Sequence, residues 1–225
     1  MTQRKKRTAG SRLIFLLIVL SVFGICHVIL RDFNMTPAEL FETAQTAQKN
    51  GSYRKAERYY LRATTAGNPN VALTASYYLG NLYRTGGDGF PINGQKAEMF
   101  LEQAALKNMP QAQYDLALMY DTGDKIKANR EKAIKLMQSA VDNNYPDAFY
   151  SMAVWIERGY LGKPDMQQAI ALYEKAAIQG NVYAMTSLIT LYGGSAEGVE
   201  PNPERASFWK TALTEINNAL KPKKK

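Results

Sequence analysis

One pattern returns four times between residues 71 and 220, and this repetition constrains the fold more than any other feature of the sequence. Each copy begins with an alanine, and large apolar residues follow it three or four positions apart. The anchor alanines are Ala75, Ala112, Ala148 and Ala184. Successive anchors are 37, 36 and 36 residues apart. Such a period indicates stacked helix pairs, because one pair cannot bury its apolar face alone.

Each copy has two helical halves and a loop that contains glycine. In the first copy the marker residues are Ala75, Leu79, Gly80 and Tyr83, then Ala97, Phe100 and Ala104. The small residues allow two helices to approach closely, and residues three or four apart share one helical face. The stretch 86–89 separates the two halves, and its glycines favour the end of a helix. The pattern therefore predicts helix, loop and helix in every copy.

An apolar residue also recurs seven positions before the first alanine of each second helix. It is Phe90, Ile126 and Val199 in three of the copies. We interpret it as a plug that closes the loop end of the core. The third copy departs from this rule, because it has Gly162 there with Leu161 beside it.

The residues of the repeat resemble the Sel1-like repeat, a variant of the tetratricopeptide repeat with a longer, glycine-bearing loop. The match is carried by the Ala-x-x-x-Leu-Gly-x-x-Tyr of residues 75–83 and by the sequence KAAIQGN of residues 175–181. It covers roughly residues 71–218. The resemblance implies an all-α fold, a right-handed α-solenoid of about five helix hairpins. It also implies a platform for partners that is generally not catalytic.

The first hairpin is of a different type. Gly51 to Ala63 looks like the second half of an ordinary tetratricopeptide repeat with a short turn. Ahead of it, Thr36 can cap a helix that begins at Pro37, and Glu39 can complete a capping box. The predicted segments are 1–12 (basic), 13–30 (anchor), 31–36 (linker), 37–69 (tetratricopeptide-like hairpin), 70–109, 110–145, 146–181 and 182–220 (Sel1-like repeats), and 221–225 (basic tail).

Residues 13–30 form an apolar run long enough to cross a membrane. Eighteen residues span about 27 Å as a helix, close to the hydrocarbon thickness. We favour an uncleaved single-pass anchor in a bacterial inner membrane. The preceding basic cluster then keeps the N-terminus cytoplasmic and the repeats lie in the periplasm. The alternatives are a cleaved signal that leaves a soluble periplasmic protein, and a lipid-modified Cys26, for which the preceding Ile25 is a poor match.

The net charge of +8 belongs to the two ends of the chain. Residues 1–12 hold five basic side chains and residues 221–225 hold four, and neither segment contains an acid. Between residues 32 and 220 there are 18 basic and 20 acidic residues. The repeats carry no basic stripe with interleaved aromatic residues, so we do not expect a nucleic-acid partner.

Few residues in the repeats suit catalysis or metal binding. The single histidine, His27, and the single cysteine, Cys26, both lie in the apolar run. The repeats therefore lack a His-based nucleophile system and a His or Cys metal site. Acidic pairs such as Asp121 and Asp124 fall in loops, where a solvated loop end is the favoured interpretation. We predict no enzyme activity, no metal and no cofactor.

A surface remains as the candidate site. In solenoids of this kind the first helix of each pair lines the groove. Positions that point away from the paired helix then give a candidate partner-binding set of Tyr77, Asn81, Tyr114, Leu118, Tyr150, Val154, Tyr183 and Thr186. Tyrosine suits binding surfaces because it offers a large contact area at low entropic cost. The alternative is that these tyrosines pack between adjacent repeats.

The sequence thus predicts a membrane-anchored protein–protein interaction scaffold in a cell-envelope complex. A regulatory or glycan-binding module that controls an envelope enzyme, a polysaccharide exporter or a sensor is the alternative. The expected partners are envelope proteins and the membrane, with glycans less favoured.

Overall fold

The computed structural model describes residues 34–195 and 198–220. Within that part the chain forms ten α-helices and a short π-helical turn, and its only extended pairing is an isolated bridge between Gly87 and Phe90. The contacts between Cα atoms divide the chain into two compact units, one that ends at Ala75 and one that begins at Ser76. The described part is all-α, as the repeat pattern predicted.

The helices follow one another in pairs. They are α1 (Pro37–Lys49), α2 (Tyr53–Ala63), α3 (Pro69–Thr85), α4 (Gly94–Ala105), α5 (Pro110–Thr122), α6 (Arg130–Asp142), α7 (Pro146–Glu157), α8 (Met166–Ile178), α9 (Val182–Thr190) and α10 (Pro203–Ala219), with the π-helical turn at Leu191–Ser195.

The first unit contains the hairpin of α1 and α2. The predicted capping box is present, because the Thr36 hydroxyl accepts from the Glu39 backbone N–H and the Glu39 carboxylate accepts from the Thr36 N–H at 2.8 Å. The turn is tight, with Gly51 in the left-handed region at φ 71°. Ala56, Tyr60 and Ala63 of α2 are buried against α1, as the pattern required.

The second unit is an α-solenoid in which each helix packs on the next. The anchor residues Ala112, Ala148 and Ala184 are fully buried at the helix contacts. Gly80 shows why small residues are needed there, since a Cβ added to it would lie 2.8 Å from the Leu101 Cγ atom. Closely packed helices therefore bury the apolar stripe that no single pair could cover.

Most second helices of this unit begin with the same set of hydrogen bonds. Asn93, Asn129 and Asn202 cap α4, α6 and α10 with their side-chain oxygens. Their backbone N–H groups donate at 2.8–2.9 Å to the carbonyls of Tyr83, Tyr120 and Tyr192 respectively. The cap residue therefore ties the start of each second helix to the end of its first helix.

The predicted plug is buried in the first repeat and less so in the others. Phe90 is 3% exposed and its ring lies 5.6 Å from that of Tyr83. Ile126 and Val199 are half-buried, while Leu161 in the third repeat is exposed. The third loop therefore closes its core less completely, in line with its glycine at position 162.

The predicted membrane anchor, residues 13–30, lies outside the described residues, as do the basic segment 1–12 and the tail 221–225. Among the residues that are described, no helix has the length and apolar character needed to cross a bilayer.

Candidate functional site

The candidate residues lie on the first helices of the second unit. We call the partly exposed side chains of α5, α7, α9 and the part of α3 after Ala75 the first-helix face. Six predicted residues are half-buried on it, namely Tyr77, Asn81, Tyr114, Leu118, Tyr150 and Val154. Tyr183 and Thr186 are exposed at the end formed by α9. All eight side chains are accessible to a partner to some degree.

Contacts between neighbouring repeats make this face continuous. The Asn81 Nδ2 atom on α3 donates to the Asp115 Oδ2 atom on α5 at 3.0 Å. The Tyr114 hydroxyl on α5 lies 3.3 Å from the Ser151 hydroxyl on α7. The first helices are therefore immediate neighbours, and their side chains form a single row.

The predicted tyrosines pair with other tyrosines. The Tyr114 ring lies 5.3 Å from the Tyr145 ring in an edge-on arrangement, and the Tyr150 ring lies 5.8 Å from the Tyr183 ring. Tyr145 caps α7 and Tyr183 lies on α9, so each pair joins one first helix to the start of the next first helix. Rings in this geometry attract one another. These tyrosines therefore pack between repeats and also keep part of their surface open.

Two carboxylates belong to the face that the sequence interpretation left out of the candidate set. Asp115 accepts the hydrogen bond from Asn81, and Asp147 accepts one from the Asn181 Nδ2 atom at 2.7 Å. Both carboxylates are half-buried, and neither forms an ion pair with any described residue. Arg84 donates to the side-chain oxygen of Asn81 at 2.9 Å, so Asn81 links this cation to Asp115.

Two tyrosine hydroxyls lie close to these carboxylates. Burial, together with the charge of Asp115 and a hydrogen bond to it, raises the pKa of Tyr77 well above the ordinary value. Burial and the corresponding effects of Asp147 raise the pKa of Tyr145 in the same way. Tyr145 is also close enough for Tyr77 and Asp115 to contribute to this shift. The four groups therefore form one cluster of negative charges and protonated phenols.

A second set of polar contacts lies on the other side of the repeats. The Lys132 ammonium donates to the Tyr120 hydroxyl at 2.9 Å, and that hydroxyl donates to the Glu98 carboxylate of the preceding repeat. In the last repeat Arg205 contacts both the Tyr192 hydroxyl and the Glu174 carboxylate. Because both partners of each tyrosine come from second helices, we assign these contacts to holding the repeats together.

The third repeat lacks this arrangement. Ile156 stands where the other repeats have tyrosine, and Gln168 stands where they have lysine or arginine. A cavity of about 260 Å³ lies at this place, lined among others by Ile156, Gln168, Leu161 and Leu172. The equivalent place in the second repeat, lined by Tyr120, Lys132 and Leu136 among others, has an opening of about 340 Å³. The exchange of tyrosine for Ile156 is therefore not what creates the cavity in the third repeat.

The repeated helix pairs follow a register that a known family shares. The family model of the Sel1 repeat matches residues 45–68, 73–109, 110–145, 146–181 and 185–209. The chain belongs to the Sel1 repeat family. The first matched segment covers much of the hairpin that the sequence analysis assigned to an ordinary tetratricopeptide-like unit.

Solved structures of Sel1 repeat proteins have a similar fold. A Sel1 repeat protein from Oxalobacter formigenes is 25% identical, with a TM-score of 0.67 over 78% of this chain and 69% of that one. A protective antigen of uropathogenic Escherichia coli strains, which displays an SLR fold, is 23% identical, with a TM-score of 0.66 over 81% of this chain. The present chain covers only 39% of that antigen. Among curated proteins none matches this sequence.

Sel1 repeat proteins are generally protein-interaction scaffolds, and the fold is typically non-catalytic. Family membership therefore supports a protein-binding role for the Sel1 repeats of this chain. The candidate residues of the first-helix face remain predictions at this level, because the family match concerns the fold and the register.

Proposed function

We propose that this protein is a membrane-anchored scaffold that holds a protein partner in a cell-envelope complex and catalyses no reaction. The single observation that carries the proposal is the continuous first-helix face, where paired tyrosines stay partly open across consecutive repeats. Partly exposed aromatic side chains supply much of the binding energy at protein interfaces. Membership of a family of interaction scaffolds supports the same conclusion.

The proposed location is a bacterial inner membrane, with residues 13–30 as a single-pass anchor and the repeats in the periplasm. Its support is the length of the apolar run and the basic cluster that precedes it. Fusions of a reporter that is active only outside the cytoplasm, placed after residue 36 and after residue 220, should both be active. A chain released in soluble form from osmotically shocked cells would instead favour the cleaved signal.

Site-specific photocrosslinking in intact cells tests the interaction. A photoreactive phenylalanine analogue replaces Tyr183, which is 67% exposed on the first-helix face. The matched control carries the same analogue at Phe208, an aromatic residue of α10 that is 62% exposed. We expect one discrete protein adduct from position 183 and none of the same mass from position 208.

Truncation of the tyrosines provides the second arm of this test. Replacing Tyr77, Tyr114 and Tyr150 by alanine should abolish the adduct while far-ultraviolet circular dichroism still shows a helical chain. An adduct that survives the triple substitution would refute the role of this face. Capture of purified cell-wall glycan by the wild-type chain, with no protein adduct, would favour the glycan-binding alternative instead.

A further inference from the structure

Charge is divided unequally between the two kinds of helix in the second unit. The first helices α5, α7 and α9 contain four acidic residues and no basic residue. These acids are Asp115, Asp121, Asp147 and Glu157. Helix α3 adds only Arg84. The second helices α4, α6, α8 and α10 hold seven basic and seven acidic residues, so their charges balance.

Two of the acids lie in the middle of the first-helix face with their charges unneutralised. Asp115 and Asp147 receive hydrogen bonds from the neutral amides of Asn81 and Asn181, and no described cation forms an ion pair with either of them. A half-buried carboxylate is less well solvated than one in water, so a cation that reached it would be attracted more strongly than at an open surface. Neutral donors orient these carboxylates and leave their charge in place.

The tyrosines around the carboxylates favour the same kind of ligand. The rings of Tyr114 and Tyr145 are in contact, and those of Tyr150 and Tyr183 are in contact beside them. The faces of such rings attract lysine and arginine side chains, by about 0.5–1 kcal/mol or more as water is excluded. The negative charge of the carboxylates and the quadrupole of the tyrosine rings therefore both favour a cationic ligand.

We propose that the segment that docks on the first-helix face is an extended, basic stretch of a partner protein, whose lysine or arginine side chains pair with Asp115 and Asp147. The two carboxylates lie on neighbouring first helices, α5 and α7, and packed helices are about 8–10 Å apart. An extended chain advances about 3.3 Å per residue, so basic residues two or three positions apart fit the two carboxylates. This inference rests on the proposed function and specifies the chemistry of the partner.

The test is a selection from a displayed random peptide library against the full-length chain in mild detergent. We expect the enriched peptides to carry pairs of lysine or arginine two or three residues apart. The best of them, labelled for fluorescence anisotropy, should bind the Asp115→Asn, Asp147→Asn double variant about tenfold or more weakly. Its affinity for the wild-type chain should also fall as salt is added.

A matched control carries the same change of charge elsewhere. Glu204→Gln and Glu215→Gln remove two carboxylates from exposed positions on α10, and this variant should bind the peptide as the wild-type chain does. Enriched peptides without basic residues would overturn the inference. Equal binding to the double asparagine variant and the wild-type chain would overturn it as well.

The failure of this inference can be told apart from the failure of the proposed function. If the selected peptides are neutral but Tyr150→Ala and Tyr183→Ala abolish their binding, the face still binds proteins and only the charge argument is wrong. If neither the tyrosine nor the aspartate substitutions change binding, the first-helix face is not the docking surface and both proposals fail.

Discussion

Gly94 marks a close approach between one repeat and the next, and its replacement by alanine tests how the repeats are stacked. It begins α4 with an ordinary helical backbone, so its conformation does not call for glycine. A Cβ atom added there would lie 1.9 Å from the Lys125 carbonyl oxygen and 2.6 Å from its carbonyl carbon. The obstacle is therefore the backbone of the next loop, which cannot rotate away as a side chain can.

The expected loss of stability follows from the 1.9 Å between the added Cβ atom and the Lys125 carbonyl oxygen. Real Cβ contacts are essentially never shorter than 3.0 Å, so the loop at Lys125 has to move by about 1.1 Å. Overpacking of this kind costs about 1–3 kcal/mol, and a backbone obstacle belongs at the upper end of that range. Alanine recovers about 0.4–1 kcal/mol through the lower entropy of the unfolded chain. We therefore expect Gly94→Ala to lower the free energy of unfolding by about 2 kcal/mol, or the melting temperature by about 4–8 °C.

Urea unfolding followed by circular dichroism measures this change. Gly193→Ala is the matched control, because a Cβ there would meet nothing within 4 Å and the backbone is not in the left-handed region. It should stay within about 0.5 kcal/mol of the wild-type chain. If the two variants unfold at the same urea concentration, the close approach at Lys125 does not exist and the stacking argument is wrong.

Three further predictions concern the tyrosines and the last helix. Burial and nearby carboxylates raise the pKa of Tyr77, Tyr145 and Tyr173 above the ordinary 10.0, so they stay protonated when unfolded-chain tyrosines ionise. The free energy of unfolding should therefore fall as the pH rises above about 10. Tyr145→Phe should make this fall with pH shallower. An unchanged dependence on pH would contradict the raised pKa of Tyr145. Tyr120→Phe removes the hydroxyl that links two second helices and should cost about 1 kcal/mol by urea unfolding, whereas no loss would show that the link is not stabilising. Trp209 is the one buried side chain of α10, so Trp209→Ala should cost about 3–5 kcal/mol. Hydrogen exchange should then speed up first in residues 203–219, and uniform acceleration along the chain would contradict this.

The fold was readable from the sequence because its signals are local and repeated. The sequence predicts a helix that begins at Pro37 with a capping box, and the structure begins α1 there. The period of the anchor alanines set the pairing of the helices. The third repeat was less predictable. The glycine at position 162 indicates that the apolar plug is missing there, and it indicates nothing more about the packing. The cavity beside Ile156 depends on how far the neighbouring helices close, which no single position encodes.

The candidate site was harder to predict, because its polar contacts join residues that are far apart in the sequence. Helical spacing placed Tyr77, Tyr114 and Tyr150 on the first helices, where the structure has them. It did not select Asp115, which lies at another position of α5, or Tyr145, which precedes α7 as its N-cap. The spacing of these polar residues could have predicted the contacts. Asn81 and Asp115 are 34 residues apart, and so are Asp147 and Asn181. Comparison of polar residues at nearly one repeat period would have found both pairs.

If the first-helix face binds a partner as we propose, the two faces of the repeats differ in how they use charge. On the second helices Lys132 and Arg205 each contact a tyrosine hydroxyl in a link that reaches a carboxylate of the preceding repeat. On the first helices the carboxylates of Asp115 and Asp147 are oriented by neutral amides, and this arrangement holds the side chains in position without cancelling their charge. A scaffold that used cations for the same purpose on both faces would have no charge left to attract a partner. Replacing Asn81 by lysine should therefore keep the repeats together through a new ion pair with Asp115, yet weaken the capture of basic peptides; unchanged capture would show that the uncancelled charge is not what the partner recognises.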